Sequence, residues 1–190
     1  EGSAIDSEAR VIGALLGSPG VGVEVRTGTG AVWDAVVRSA PHVAVLHLVG
    51  HAVYRAEHPE FSALRVADRW VSVSDVAALP LRGACVVLSA CETGPRGVVA
   101  GTESLGLVRG FLRAGAAAVV ATLWRVNDRE TATLMCDLYA AWRKAGTLGA
   151  ALREVQAGGA SSREDLYFWA AFTLIGSPRI DWPSSCGKVH

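Results

Sequence analysis

Two residues in this sequence have the side chains that acyl transfer needs. Cys91 offers a thiol and His51 an imidazole, and each follows an apolar run that breaks off into small residues. The run Ala84-Cys85-Val86-Val87-Leu88 stops at Ser89-Ala90-Cys91, with Glu92-Thr93-Gly94 beyond it, and Val43-Ala44-Val45-Leu46-His47-Leu48-Val49 stops at Gly50-His51-Ala52. Short unbroken apolar runs suit parallel strands covered on both faces. The carboxyl ends of such strands meet at the functional crevice of an open α/β sheet, which brings the thiol and the imidazole to one place. Together they read as a nucleophile and its base. On its own context, Cys91 also fits a small buried thiol at a strand end.

His47 lies four residues before His51. On a helix that spacing would put two metal ligands on one face, but along a strand it spans about 13 Å, too far for one ion. His47 alternates with Val43 and Val45, so it reads as a buried, hydrogen-bonded core histidine. The turn Thr27-Gly28-Thr29-Gly30 fits neither of the glycine-rich phosphate loops and has no following lysine. No metal and no cofactor is expected.

The elements that would hold these residues alternate. Glu8 to Leu16 has helical spacing, and Val21 to Val25 alternates as a strand; Ala31 to Ser39 is again helical. After the strand at Val43, the pattern predicts two short strands around a turn at Asp68-Arg69, then a helical turn capped at Ser74-Asp75 and ending by Pro80. Thr102 to Ala114 is a helix closed by Gly115, Ala116 to Leu123 a buried strand, and Asn127 or Asp128 caps a helix to about Lys144. Thr147 opens another helix to Gln156, and Tyr167 to Ile175 reads as a last strand. The stretches from Ala157 to Asp165 and after Trp182 read as loosely ordered. This alternation argues for right-handed βαβ units, an α/β fold in three layers with a mostly parallel sheet and helices on both faces.

Composition sets the bounds. The chain has 190 residues, 51% of them hydrophobic, enough for one sizeable core. Eighteen basic residues balance eighteen acidic ones, which leaves no electrostatic footprint for nucleic acid or an anionic membrane. No apolar run is long enough to span a bilayer. The first residues, Glu1-Gly2-Ser3, carry neither an initiator methionine nor a signal peptide, so the chain reads as a piece of a longer one. Cys85, Cys91, Cys136 and Cys186 form no CxxC pair, which suits a reducing, cytoplasmic setting. Cys85 and Cys136 read as small buried hydrophobes.

Four segments together carry a resemblance. Leu46-His47-Leu48-Val49-Gly50-His51-Ala52, Val87-Leu88-Ser89-Ala90-Cys91-Glu92-Thr93-Gly94, Ala121-Thr122-Leu123-Trp124-Arg125-Val126-Asn127-Asp128 and Tyr167-Phe168-Trp169-Ala170-Ala171-Phe172 resemble, in order, the motifs of CHAT domains. This caspase-like cysteine peptidase family is related to separase and caspases and is often joined to TPR repeats. The resemblance covers about residues 8 to 176. It implies the caspase-haemoglobinase fold, with 1–7 a linker from a longer parent chain, 8–180 the peptidase-like domain and 181–190 a flexible tail. It also implies a strand before the helix at Glu8 that this chain does not reach, so that another segment would complete the sheet.

By the same resemblance Cys91 is the nucleophile and His51 the general acid/base, and the backbone N–H groups of Cys91 and Ala52 form the oxyanion hole. Family members usually have glycine where Ala52 stands. The implied activity is that of a cysteine endopeptidase acting on protein substrates. Asp128 resembles the carboxylate of the separase pocket for a basic residue, and Arg125 in the same loop would instead select an acidic one; the reading leans toward a basic P1. Asp128 serves equally as a helix cap. The competing reading is a catalytically silent CHAT module that acts as a protein-interaction or signalling domain.

Overall fold

A computed structural model describes residues 4–17, 22–55, 57–92, 105–124, 126, 128–162, 166–183 and 188–189. In chain order these form α1 (Ala4–Leu16), β1 (Gly22–Val23), α2 (Trp33–Ser39), β2 (Val43–Val53), β3 (Ala63–Arg65) and β4 (Trp70–Ser72). There follow α3 (Val73–Ala77), β5 (Cys85–Glu92), α4 (Leu105–Arg113), β6 (Ala118–Thr122), α5 (Asp128–Ala145), α6 (Leu148–Ser162), α7 (Leu166–Trp169), β7 (Phe172–Gly176) and β8 (Lys188–Val189). The main path of the sheet runs β1-β8-β2-β5-β6-β7, and β3 and β4 branch from β2. β2, β5 and β6 are parallel neighbours, as are β1, β8 and β2, while β7 runs antiparallel to β6. The mostly parallel α/β sheet is therefore as the sequence pattern predicts.

Its central strands are apolar on both faces because both are covered. Cys85 and Val87 of β5 and Val120 of β6 pack on one side with Ile12 and Leu16 of α1, Leu138 and Trp142 of α5 and Leu152 of α6. Val86 and Leu88 of β5 and Val119 of β6 pack on the other side with Trp33 of α2, Val76 of α3 and Leu107 and Phe111 of α4. Alternate residues of a strand point to opposite faces, so one run of apolar residues feeds both layers. α4 ends as its sequence suggests. Gly115 takes a positive φ of 96°, and the N–H groups of Gly115 and Ala116 donate back to the carbonyls of Leu112 and Phe111.

Several boundaries differ from the sequence pattern. β2 runs on through Val53 because β3 pairs with its end, matching His51 to Arg65, Ala52 to Leu64 and Val53 to Ala63. The expected strand at 21–25 is reduced to Gly22–Val23, α6 continues through Gly158-Gly159 to Ser162, and Tyr167 lies in the short helix α7 rather than in a strand. Lys188 and Val189, within the expected tail, pair with β1 and β2 as β8. The cap of α3 is Ser72, two residues before the expected Ser74. Its Oγ accepts from the Asp75 N–H at 3.2 Å, and the Asp75 carboxylate accepts from the Ser72 N–H at 2.9 Å, a capping box.

That cap carries a prediction. Hydrogen bonds from the Ser72 side chain and backbone, with Arg69 nearby, hold the Asp75 carboxyl below its usual value of 3.8. A depressed carboxylate contributes stability that is fully present above the unfolded-state value and is lost as pH falls through the lower folded one. Ser72→Ala is expected to cost about 1 kcal/mol at pH 7. Equilibrium urea unfolding of wild type and variant from pH 7 downward should show the gap closing once pH drops below 3.8.

Candidate active site

β2 and β5 are paired in register from Val45 opposite Cys85 to Ala52 opposite Glu92. His51 is the partner of Cys91 in this ladder. Adjacent strands stand about 4.8 Å apart, so the backbones that carry the predicted imidazole and thiol are immediate neighbours. Both residues lie within the strands rather than in the loops beyond them, because β3 on one side and β5 on the other extend the end of β2. The His51 side chain is exposed, and on its other flank its ladder partner is Arg65, whose guanidinium lies 5.8 Å from the Trp70 ring centroid. Ala52 is fully buried and paired with Leu64, so the expected oxyanion donor belongs to a residue held in a three-strand ladder.

His51 also borders a cavity of about 380 Å³, lined by α1, residues 23–28, α2, β3 and the stretch Leu46–Gly50 of β2. On the edge of β2 away from β5, the described pairs involve Val43 and Val45 below this stretch and resume at His51 above it. The cavity thus runs along backbone that has no strand partner on that edge among the described residues.

Beneath the His51 and Cys91 positions lies a buried polar cluster that crosses from sheet to helices. Ser89 Oγ of β5 donates to Glu8 Oε1 of α1 at 2.6 Å, and the same oxygen lies 3.6 Å from His47 Nε2 of β2. On the far side of the ring, His47 Nδ1 is 2.8 Å from the Tyr139 hydroxyl of α5. Complete burial pushes the Tyr139 phenol well above its usual range, so it stays protonated in its hydrogen bond with Nδ1. His47 is the core histidine that its alternation predicts. Glu8, Ser89 and Tyr139 were not singled out from the sequence. The signals were there: Glu8 stands one turn before Ile12 on the apolar stripe of its helix, Tyr139 falls between Met135 and Trp142 on another, and Ser89 ends an apolar run.

The model of the CHAT domain family matches residues 2–177. The chain belongs to the CHAT domain family. A curated relative, mouse Tetratricopeptide repeat protein 28, is 32% identical over 120 residues, which cover 60% of this chain and 5% of that protein. The chain therefore spans a small part of the relative it matches, and the match to a repeat protein agrees with the association of CHAT domains with TPR repeats. The domain is a module related to caspase-like cysteine peptidases.

Of the expected pocket residues in this CHAT domain, Asp128 is the first residue of α5, and Arg125 lies outside the described residues, as does the expected helix start at Thr102. Trp124, in the same loop after β6, packs at 5.9 Å between ring centroids on Tyr167 and donates its indole N–H to the Tyr167 carbonyl. Among the described residues no group of histidine, cysteine and carboxylate side chains could hold a metal ion, and no helix is long and apolar enough to cross a membrane.

The other described cysteines of the CHAT domain differ in kind. Burial pushes the Cys85 thiol up to about 12, and Cys136 is raised by burial and by the nearby Asp137 and Glu8 carboxylates. The thiolate is the reactive form. At pH 8 Cys85 is therefore expected to escape alkylation in the folded protein and to react only on unfolding, as peptide-resolved mass spectrometry after iodoacetamide treatment would show; ready labelling of native Cys85 would contradict the buried placement.

Proposed function

We propose that this CHAT domain is a cysteine endopeptidase that cleaves protein substrates through a Cys91–His51 dyad. The observation that carries the reading is the register of β2 and β5, which makes His51 and Cys91 neighbours at the carboxyl ends of two parallel strands. His51 takes the thiol proton, and Cys91 sulfur attacks the peptide carbonyl. The N–H groups of Ala52 and Cys91 receive the oxyanion, and the imidazolium protonates the departing amine. Water, deprotonated by His51, then attacks the thioester, releasing the acid and restoring the thiol.

The catalytic unit, centred on residues 8–180, works in the cytoplasm and is carried with TPR or other repeats in a longer parent chain. Asp128 selects a basic P1 side chain through a charge-assisted pair, in preference to an acidic one held by Arg125. Paired peptides that differ only in Arg or Asp at P1 test this. The Arg peptide is expected to be cleaved at least about tenfold faster, the value of roughly 1.4 kcal/mol of preference, and Asp128→Asn is expected to erase the difference. Equal rates in the wild type, or faster cleavage after Asp, would overturn the assignment. An intact, folded protein that cleaves neither peptide and binds a protein partner through this domain would favour the silent interaction module.

A further inference from the structure

The Glu8 side chain is acidic and buried. A carboxylate taken out of water costs several kcal/mol unless it is met by donors. Here the donor is the Ser89 hydroxyl of β5, 2.6 Å from Oε1, and the His47 ring edge of β2 lies 3.6 Å from the same oxygen, in contact but beyond hydrogen-bond distance. Among the described residues His47 Nε2 has no hydrogen-bond partner, and this carboxylate faces it at 3.6 Å. Ser89 is two residues before Cys91, and His47 is four before His51. In the ladder, Ser89 is opposite Val49, one alternation below the pair His51 and Cys91. A single oxygen of α1 thus spans the two strands just under the residues that the reaction requires to stay aligned.

We infer that Glu8 is a positioning residue of the dyad, tying β5 to β2 through Ser89 and His47 so that Cys91 and His51 keep the alignment that makes the thiol reactive. The inference rests on the proposed dyad. α1 contributes no group to the reaction itself. The tie is polar where packing around it is apolar: Ile12 and Leu16 hold α1 to the sheet and α5, and either would dock the helix without fixing the lateral relation of two strand ends. The charge-assisted Ser89–Glu8 hydrogen bond on β5, with the same oxygen seated against the His47 edge of β2, does fix it. Misplacement of reacting groups by about 1 Å costs up to a hundredfold in rate.

The test is the pH dependence of Cys91 alkylation by iodoacetamide in the intact protein, read for each cysteine by mass spectrometry. Wild type is compared with Glu8→Ala, Glu8→Gln, Ser89→Ala and His51→Ala, each checked for native near-ultraviolet circular dichroism. Glu8→Ala and Ser89→Ala are expected to slow Cys91 alkylation at pH 7 by roughly 10- to 100-fold and to move its pH profile toward that of His51→Ala. Glu8→Gln, which keeps an acceptor for Ser89, is expected to recover most of the rate. A purely structural role would lower the melting temperature and leave the profile in place. Wild-type profiles in folded Glu8→Ala and Ser89→Ala, with His51→Ala still slow, would overturn the inference and spare the dyad. If Glu8→Ala does not fold, Ser89→Ala, which removes one hydroxyl, decides alone. A His51→Ala protein whose Cys91 reacts as fast as wild type would overturn both the dyad and the tie.

Discussion

Replacing His51 with alanine is expected to lower kcat/KM for a peptide substrate by about 10²–10⁴, and replacing Cys91 is expected to leave no acyl-enzyme at all. The two effects differ because the residues do different work. Without the imidazole an ordinary thiol is only a few per cent thiolate at pH 7 and the leaving amine has no proton donor. Without the sulfur the covalent route is closed. The loss in the histidine variant corresponds to about 3–5 kcal/mol of transition-state stabilisation. It should come with little change in stability, since the His51 side chain is exposed and such substitutions usually stay within about 0.5 kcal/mol. Steady-state kinetics alongside urea unfolding separate the two quantities. A His51→Ala protein with undiminished turnover would remove the base from the scheme.

The largest stability loss is expected at Trp142. This side chain is completely buried in α5, donates its indole N–H to the Ile180 carbonyl at 2.9 Å, and meets the edge of Trp182 with ring centroids 5.5 Å apart. It therefore joins the helix layer to the segment that follows β7. Trp142→Ala removes the ring, opens a cavity in the core and takes away one of the two hydrogen bonds that the Ile180 carbonyl accepts, the other coming from the Leu148 N–H, for a cost of about 3–5 kcal/mol. At roughly 2–4 °C per kcal/mol in a chain of this size, the melting temperature should fall by at least about 6 °C. Trp142→Phe keeps most of the apolar contact and loses the hydrogen bond, so it should cost less, about 1–2 kcal/mol. A loss below 1 kcal/mol for the alanine variant would contradict the packing described.

Much of this architecture is legible because its central strands are covered on both faces. Val43–Val49, Cys85–Leu88 and Ala116–Leu123 leave no alternation to misread, and Leu105, Val108 and Phe111 mark a helix equally plainly. The hairpin at 63–72 shows through its turn at Asp68-Arg69. What stays hidden depends on distant partners. The extension of β2 through His51 requires β3, whose pairing no local pattern announces. Gly158-Gly159 reads as a helix breaker, yet α6 passes through it; Gly159 is buried where a side chain would press on the Trp169 ring, at 2.7 Å from its nearest atom. The aromatic run after Leu166 has strand propensity but forms α7, with the Trp169 and Phe172 carbonyls met by the Gln156 amide.

The site divides in the same way. The residues of the proposed dyad, Cys91 and His51, stand out because reactive side chains at the ends of apolar runs have few structural reasons to be there. The Glu8, His47, Ser89 and Tyr139 cluster joins two strands and two helices, and no spacing in a sequence reports contacts between residues 81 apart.

The dyad is tested most directly by treating the intact protein with peptide acyloxymethyl ketones that carry Arg or Asp at P1 and mapping the adduct by mass spectrometry. The expected result is one thioether at Cys91, formed faster with the Arg probe, absent in Cys91→Ala and strongly slowed in His51→Ala. Adducts spread over other cysteines, or a Cys91 adduct that forms as fast without His51, would contradict a Cys91–His51 peptidase.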